Sequence, residues 1–201
     1  MKMLRMILAP ALFVALALPA SAAGKLSLSE ISAYLNALKT AQGEFTQING
    51  DGTISTGTIF IKRPGRVRFE YNPPEASLVM AGGGEVAIFD GKSNQMPERY
   101  PLARTPLKLI LAQNVNLGAA KMVVGHTADA NSTKVRAQDP EHPEYGTIEM
   151  VFTGDPVELR QWIIRDGSGG ETTVVLGALS KGMAIGDTKF NIQQQIKRSG
   201  F

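Results

Sequence analysis

The chain reads as a mainly β (α+β) protein, one antiparallel sheet large enough to curl on itself, with two apolar helices beside it. Three observations lead there. From Glu44 onward, short runs rich in Thr, Val, Ile and Phe are punctuated by Asp51-Gly52, Asp90-Gly91 and Asp166-Gly167, dipeptides that serve tight hairpins. Within Arg66–Tyr71, Val67, Phe69 and Tyr71 alternate with Arg66, Arg68 and Glu70, the period-2 pattern of a strand with one apolar and one wet face. Two segments keep helical spacing instead. No repeat or low-complexity linker interrupts the series, so the strands read as one sheet.

The order of elements begins with an export signal. Lys2 and Arg5 form a basic start, Met6 to Leu18 is an apolar run of thirteen residues, and Pro19-Ala20-Ser21-Ala22 offers the small residues signal peptidase reads. Thirteen apolar residues fall short of the roughly 20 needed to span a bilayer. Cleavage is expected after Ala22, leaving residues 23–201 as a single domain, consistent with roughly 100–200 residues per domain. Losing Lys2 and Arg5 leaves 19 basic against 18 acidic residues. So balanced a charge implies neither nucleic acid nor an anionic membrane surface as partner. The chain has no cysteine, which removes disulfides, a thiol nucleophile and the acylated N-terminal cysteine of a bacterial lipoprotein.

Leu28, Ile31, Leu35 and Leu38 recur at helical spacing. They predict a helix capped by Ser27 or Ser29, running to about Thr40 and ended by Gly43. Strands are expected near 42–50, 53–62, 66–72, 77–81, 85–89 and 94–96. Further strands are expected near 121–127, 132–137, 146–152, 158–165, 171–179 and 188–193. Between the two sets, Thr105 reads as a cap, Pro106 as a first helical residue, and Leu107, Ile110 and Leu111 as one apolar face. Such a short helix covers something, either a packed sheet face or the concave side of a curved sheet. Ile59-Phe60-Ile61, Trp162-Ile163-Ile164 and Val174-Val175-Leu176 are continuous apolar runs. They predict a sheet covered on both faces for part of its length.

Catalytic and metal chemistry is poorly represented. His126 and His142 lie in different segments without metal-ligand spacing. Gly167-Ser168-Gly169-Gly170 and Ala81-Gly82-Gly83-Gly84-Glu85 lack the context of a nucleophile elbow or a phosphate loop, and read as hairpin turns. Five methionines follow the signal, Met80, Met96, Met122, Met150 and Met183. They suit an adaptable apolar pocket or an ordinary core. Arg63 sits at the Arg63-Pro64-Gly65 corner between two strand runs. There its guanidinium is satisfied by water, by carboxylates, or by backbone carbonyls of a neighbouring element.

Several motifs, in order, resemble the LolA family of periplasmic lipoprotein carriers. Gly43-Glu44-Phe45-Thr46-Gln47 is similar to its small-x-Phe-x-Gln opening strand, and Gly57 to Pro64 to its strand ending in Lys-Arg-Pro. Arg68-Phe69-Glu70-Tyr71 with Pro74, Phe89-Asp90-Gly91 and Thr105-Pro106-Leu107 follow in the expected places. Gly177 to Phe201 matches only loosely. The resemblance implies an incomplete, unclosed antiparallel β-barrel with an α-helical lid over an apolar cavity. It implies an exported, periplasmic monomer without a cofactor, which takes acylated lipoproteins from an inner-membrane ABC complex to an outer-membrane lipoprotein acceptor. It makes Arg63 a lid latch, and Phe45, Ile59, Ile61, Val67, Phe69, Tyr71, Leu107, Ile110 and Leu111 candidates for the lipid cavity. The alternative within the same half-barrel is a periplasmic lipid-binding sensor of envelope stress. The acceptor itself would need a cysteine after the signal, and a secreted hydrolase would need catalytic groups.

Overall fold

The computed structural model describes residues 24–93, 95–119 and 121–200, so the expected signal sequence lies outside the described residues. The first element is helix α1, Leu28–Ala37. Ser27 starts it with a reciprocal capping box: its hydroxyl accepts from the Glu30 N–H at 3.2 Å, and the Glu30 carboxylate accepts from the Ser27 N–H at 2.7 Å. Ile31 and Leu35 form its buried stripe. The helix ends earlier than its apolar spacing predicts, with Leu38 as C-cap. Thr40 already pairs with Lys62 in the sheet, and ten residues of strand hydrogen bonding outweigh another turn of helix. Gly43 therefore lies inside a strand, where a Cβ would stand 2.8 Å from the Ala178 carbonyl oxygen.

The first group of strands is a meander of β1 Thr40–Asn49, β2 Ile54–Lys62, β3 Arg66–Tyr71, β4 Leu78–Gly82, β5 Glu85–Phe89 and β6 Glu98–Pro101. A crossover holding helix α2, Leu107–Leu111, leads to a second meander. Its strands are β7 Val123–Ala128, β8 Thr133–Gln138, β9 Thr147–Thr153, β10 Glu158–Arg165 and β11 Glu171–Leu176. Strand β12, Ser180–Lys181, adds to β1, and helix α3, Ile192–Arg198, ends the chain. The order across the sheet is β6-β5-β4-β3-β2-β1-β11-β10-β9-β8-β7, all pairs antiparallel. Each meander is local; only the β1–β11 pairing joins them. Strands β6 and β7 are the free ends of this path, so the sheet is unclosed.

The sheet nevertheless wraps strongly. Phe69 on β3 and Trp162 on β10 have ring centroids 6.2 Å apart, edge to face, although four strand spacings separate them, about 19 Å if the sheet were flat. Phe45 joins this interior through Phe69 at 5.2 Å and Tyr71 at 5.1 Å. Gly57 makes room for that ring, since a Cβ there would lie 2.8 Å from it and 2.1 Å from the Glu70 carbonyl oxygen. Helices α1 and α2 fill the enclosed side, sharing one core with residues of both meanders.

The C-terminal segment covers the outer face. Phe60 packs against Ile185 and Phe190, while its neighbours Ile59 and Ile61 belong to the inner core. Leu78, Met80, Ala87 and Phe89 pack against Ile192 and Ile196. The continuous apolar run around Phe60 is thus buried on both faces, as its pattern predicts. Two expected strands differ. The one near 94–96 forms later, as β6. The one near 188–193 is a 3₁₀ turn, Asp187–Phe190, followed by α3. Asn191 caps α3, its side chain accepting from the Gln194 N–H at 2.9 Å, and the Ile192/Ile196 spacing of four supplies the apolar stripe. Thr105 does not cap α2; its hydroxyl instead donates to the Leu102 carbonyl at 2.9 Å and closes the turn before it. No helix among the described residues is long and apolar enough to cross a membrane.

Candidate functional site

A cavity of about 540 Å³ opens between the curved sheet and the crossover. Phe69, Tyr71, Val79, Val86 and Ile88 of β3–β5 form one wall. Trp162 and Ile164 of β10 with Thr172 and Val174 of β11 form the opposite one. Arg104, Thr105, Pro106 and Leu107 make the roof, and Glu144, Tyr145, Asp166 and Gly167 reach the rim from two turns. Polar groups inside are few and mostly occupied. The Tyr71 hydroxyl donates to the Gln47 side chain at 2.6 Å, and burial pushes its pKa up to about 12. The Asp166 carboxylate accepts from the Ser168 hydroxyl and from the N–H groups of Ser168 and Gly170, which holds it below its ordinary pKa. It acts as the staple of the β10–β11 turn.

Arg63 stands behind the roof, at the corner between β2 and β3. Its backbone is fixed by an N–H donated to the Lys39 carbonyl at 2.8 Å, and Gly65 donates to the Leu111 carbonyl at 2.8 Å. The side chain points inward and is 6% exposed. Leu35, Leu38, Ile61, Val67, Leu107, Ile110, Leu111, Leu159 and Trp162 surround it. One guanidinium nitrogen, Nη2, donates to the Ala112 carbonyl just after α2, at 2.5 Å. The other two nitrogens, Nε and Nη1, are buried without a partner. Burial lowers the guanidinium pKa from its ordinary value. Of the possible partners for a corner arginine, the structure uses one backbone carbonyl. A charge-assisted bond of this kind contributes about 1.5–3 kcal/mol, and each unsatisfied buried donor costs about 1–3 kcal/mol. The contact is therefore a weak fastening of α2 to the sheet.

The residues singled out in the sequence divide into three groups. Phe69, Tyr71 and Leu107 line the cavity. Ile61, Val67, Ile110 and Leu111 surround Arg63. Phe45 and Ile59 are buried in the shared inner core and lie on neither surface. Sequence reasoning missed Val79, Val86, Ile88, Trp162, Ile164 and Val174. These lie in largely continuous apolar runs of β4, β5, β10 and β11, which do not say which face is enclosed. None of the five methionines is among the cavity-lining residues; Met150 is in the inner core and Met80 under α3. His126 Nε2 lies 2.9 Å from the Leu26 carbonyl oxygen, and His142 sits in an exposed turn beside Glu144. Among the described residues, no group of three His, Cys, Asp or Glu could hold a metal ion.

Known proteins match this sequence across most of the chain. The family model described as outer membrane lipoprotein carrier protein LolA covers residues 36–193. The outer-membrane lipoprotein carrier protein of Cupriavidus taiwanensis is 32% identical over 174 residues, spanning 81% of this chain and 80% of that protein. The carrier protein of Cupriavidus pinatubonensis is 25% identical over 163 residues, 76% of each chain. That of Chromobacterium violaceum is 24% identical over 193 residues, spanning 92% of this chain and 90% of its own. The unclosed sheet, the motifs around Arg63 and a match spanning both meanders agree: this chain belongs to the LolA family.

Proposed function

We propose that this protein is a periplasmic carrier that shelters the acyl chains of lipoproteins in the cavity between sheet and lid and gives them up to an outer-membrane acceptor. The observation that carries the reading is the apolar cavity of about 540 Å³, roofed by a lid that one poorly satisfied buried arginine holds down. Hydrocarbon chains favour an enclosure with few polar groups, and the walls supply mostly Val, Ile, Phe and Trp side chains. The names of the relatives support lipoprotein as the cargo. In this reading the protein is an exported monomer, loaded by an inner-membrane ABC lipoprotein-releasing complex, and has no catalytic step.

Arg63 sets the balance between empty and loaded states. Acyl chains lift the lid, the bond to the Ala112 carbonyl breaks, and a guanidinium is left facing hydrocarbon. The loaded state is thereby penalised, so cargo leaves when an acceptor offers a better site. An interaction of about 1.5–3 kcal/mol biases such a two-state lid without locking it. The test is to purify the mature protein and measure binding of a triacylated lipopeptide, with mass spectrometry of whatever co-purifies from the periplasm. Saturable binding with displacement of a hydrophobic dye from the cavity is expected. Absence of any acylated ligand from both experiments would defeat the proposal.

A further inference from the structure

The lid is anchored at both ends and sparsely fastened between them. The segment after α2 is held firmly at Val115 and Leu117: Asn36 and Val115 exchange two hydrogen bonds at 2.8 and 2.9 Å, and Leu117 donates to the Ser32 hydroxyl at 3.0 Å, with the weaker Arg63 contact to the Ala112 carbonyl between them and α2. At the other end, β6 stays paired with β5 up to Pro101, and the Leu102 N–H reaches the Gly84 carbonyl at 2.9 Å. From Ala103 to Ile110, a single hydrogen-bonded contact reaches the sheet side among the described residues, the ion pair between Lys108 of α2 and Asp139.

Asp139 follows β8 and opens the turn that carries Glu144 and Tyr145 to the cavity rim. Lys108 follows Arg104, Thr105, Pro106 and Leu107, which roof the cavity. The pair therefore ties the segment that roofs the cavity to the turn that carries Glu144 and Tyr145 to its rim. Its halves are unequal. Asp139 is buried, and its other carboxylate oxygen accepts from the Glu141 N–H at 3.0 Å; the turn stays in place without Lys108. The Lys108 side chain is one-third exposed on a flexible stem. When the pair parts, the Asp139 turn keeps its own bond to the Glu141 N–H, whereas Lys108 loses its one fastening.

We propose that Lys108 and Asp139 form the entry gate of the cavity, an electrostatic clasp that sets how fast acyl chains enter. The proposal rests on the cavity being the acyl site, as argued above. It assigns the two fastenings different work. The Arg63 contact, just after α2, weights loaded against empty protein, whereas the Lys108–Asp139 pair, between the roof segment and the rim turn, controls the rate of opening.

The test uses the mature protein and a dansylated long-chain fatty acid as probe, followed by stopped-flow fluorescence. Lys108→Met and Asp139→Asn are each expected to take up the probe up to roughly fivefold faster than the unaltered protein, the upper end for a partly exposed ion pair. Added salt accelerates the unaltered protein and leaves both variants unchanged. The exchanged pair, Lys108→Asp with Asp139→Lys, returns the rate to within about twofold. Because the chain lacks cysteine, Lys108→Cys with Asp139→Cys can be bridged by a cleavable bis-thiol cross-linker. Bridged protein is expected to load at least about tenfold more slowly, and cleavage restores loading. Melting curves identify any variant that fails to fold. Variants that change the melting curve but not the uptake rate, or bridged protein that loads at the unaltered rate, overturn the gate. Protein that admits the probe through this gate but binds no triacylated lipopeptide overturns the carrier reading and leaves the gate standing.

Discussion

Replacing Arg63 by leucine separates retention of cargo from stability of the fold. In the empty protein, the guanidinium gives one bond to the Ala112 carbonyl and buries two donors that receive nothing. Leucine loses the bond, about 1.5–3 kcal/mol, and removes two penalties of about 1–3 kcal/mol each. It also enters a nest of Leu35, Leu38, Ile61 and Leu111. Melting of the empty variant is therefore expected at or above that of the parent. Loading is affected differently. With arginine, lifting the lid forfeits the Ala112 bond; with leucine there is no bond to forfeit. The loaded state gains about 1.5–3 kcal/mol relative to the empty one, which is roughly tenfold to 150-fold tighter retention. The assay is transfer of a triacylated lipopeptide from preloaded carrier to an acceptor, with affinity measured alongside by dye displacement. Cargo is accepted normally and transfer falls by that factor. Unchanged affinity with transfer at the parental rate would refute the reasoning, as would a large loss of thermal stability.

Other predictions concern the walls and the outer strap. The chain has one tryptophan, and Trp162 lines the cavity, so a saturated acyl ligand should shift its emission and reduce acrylamide quenching; a ligand that binds without either effect occupies another place. Trp162→Ala should lower stability by about 3–5 kcal/mol, read from urea unfolding. Gly57→Val should cost about 2–4 kcal/mol, because its Cβ meets the Glu70 carbonyl oxygen and the Phe45 ring; an unchanged urea midpoint would contradict the close approach. On the outer face, burial pushes the Glu70 carboxyl up, but Arg68 and Lys189 outweigh it and hold the group below its ordinary 4.5. A carboxylate depressed on folding stabilises above its unfolded pKa, and that contribution fades as pH falls through the folded value. Arg68 also donates to the Lys189 carbonyl and to Gln195. Amide protection factors over residues 187–198, corrected for the intrinsic pH dependence of exchange, should therefore be high at neutral pH and fall below about pH 4.5; equal protection at both pH values would remove Glu70 from the attachment.

What the sequence determines by itself is what short-range pattern can encode. The Asp-Gly dipeptides mark hairpins because turn geometry is a property of adjacent residues. The Ser27–Glu30 box and the Leu28 stripe mark α1, and the alternation of Val67, Phe69 and Tyr71 gives β3 one apolar face. Arg63 is visible at its corner, but local pattern leaves water, a carboxylate or a backbone carbonyl equally open as its partner. What only the tertiary structure decides is which distant surfaces meet. The β1–β11 pairing joins residues about 130 positions apart, and no local periodicity contains that register. It sets which face is enclosed, and so makes Val86 and Ile164 cavity residues while Phe45 and Ile59 become packed interior. The same long-range closure gives Arg63 one carbonyl and two buried nitrogens without a partner, and brings Asp139 to Lys108 of α2. Near residue 190 local pattern misleads, since Phe190 and Ile192 alternate like a strand. With the edge of β5 already taken by β6, the segment has the outer face of the sheet to cover, and a helix with Ile192 and Ile196 on one side covers it.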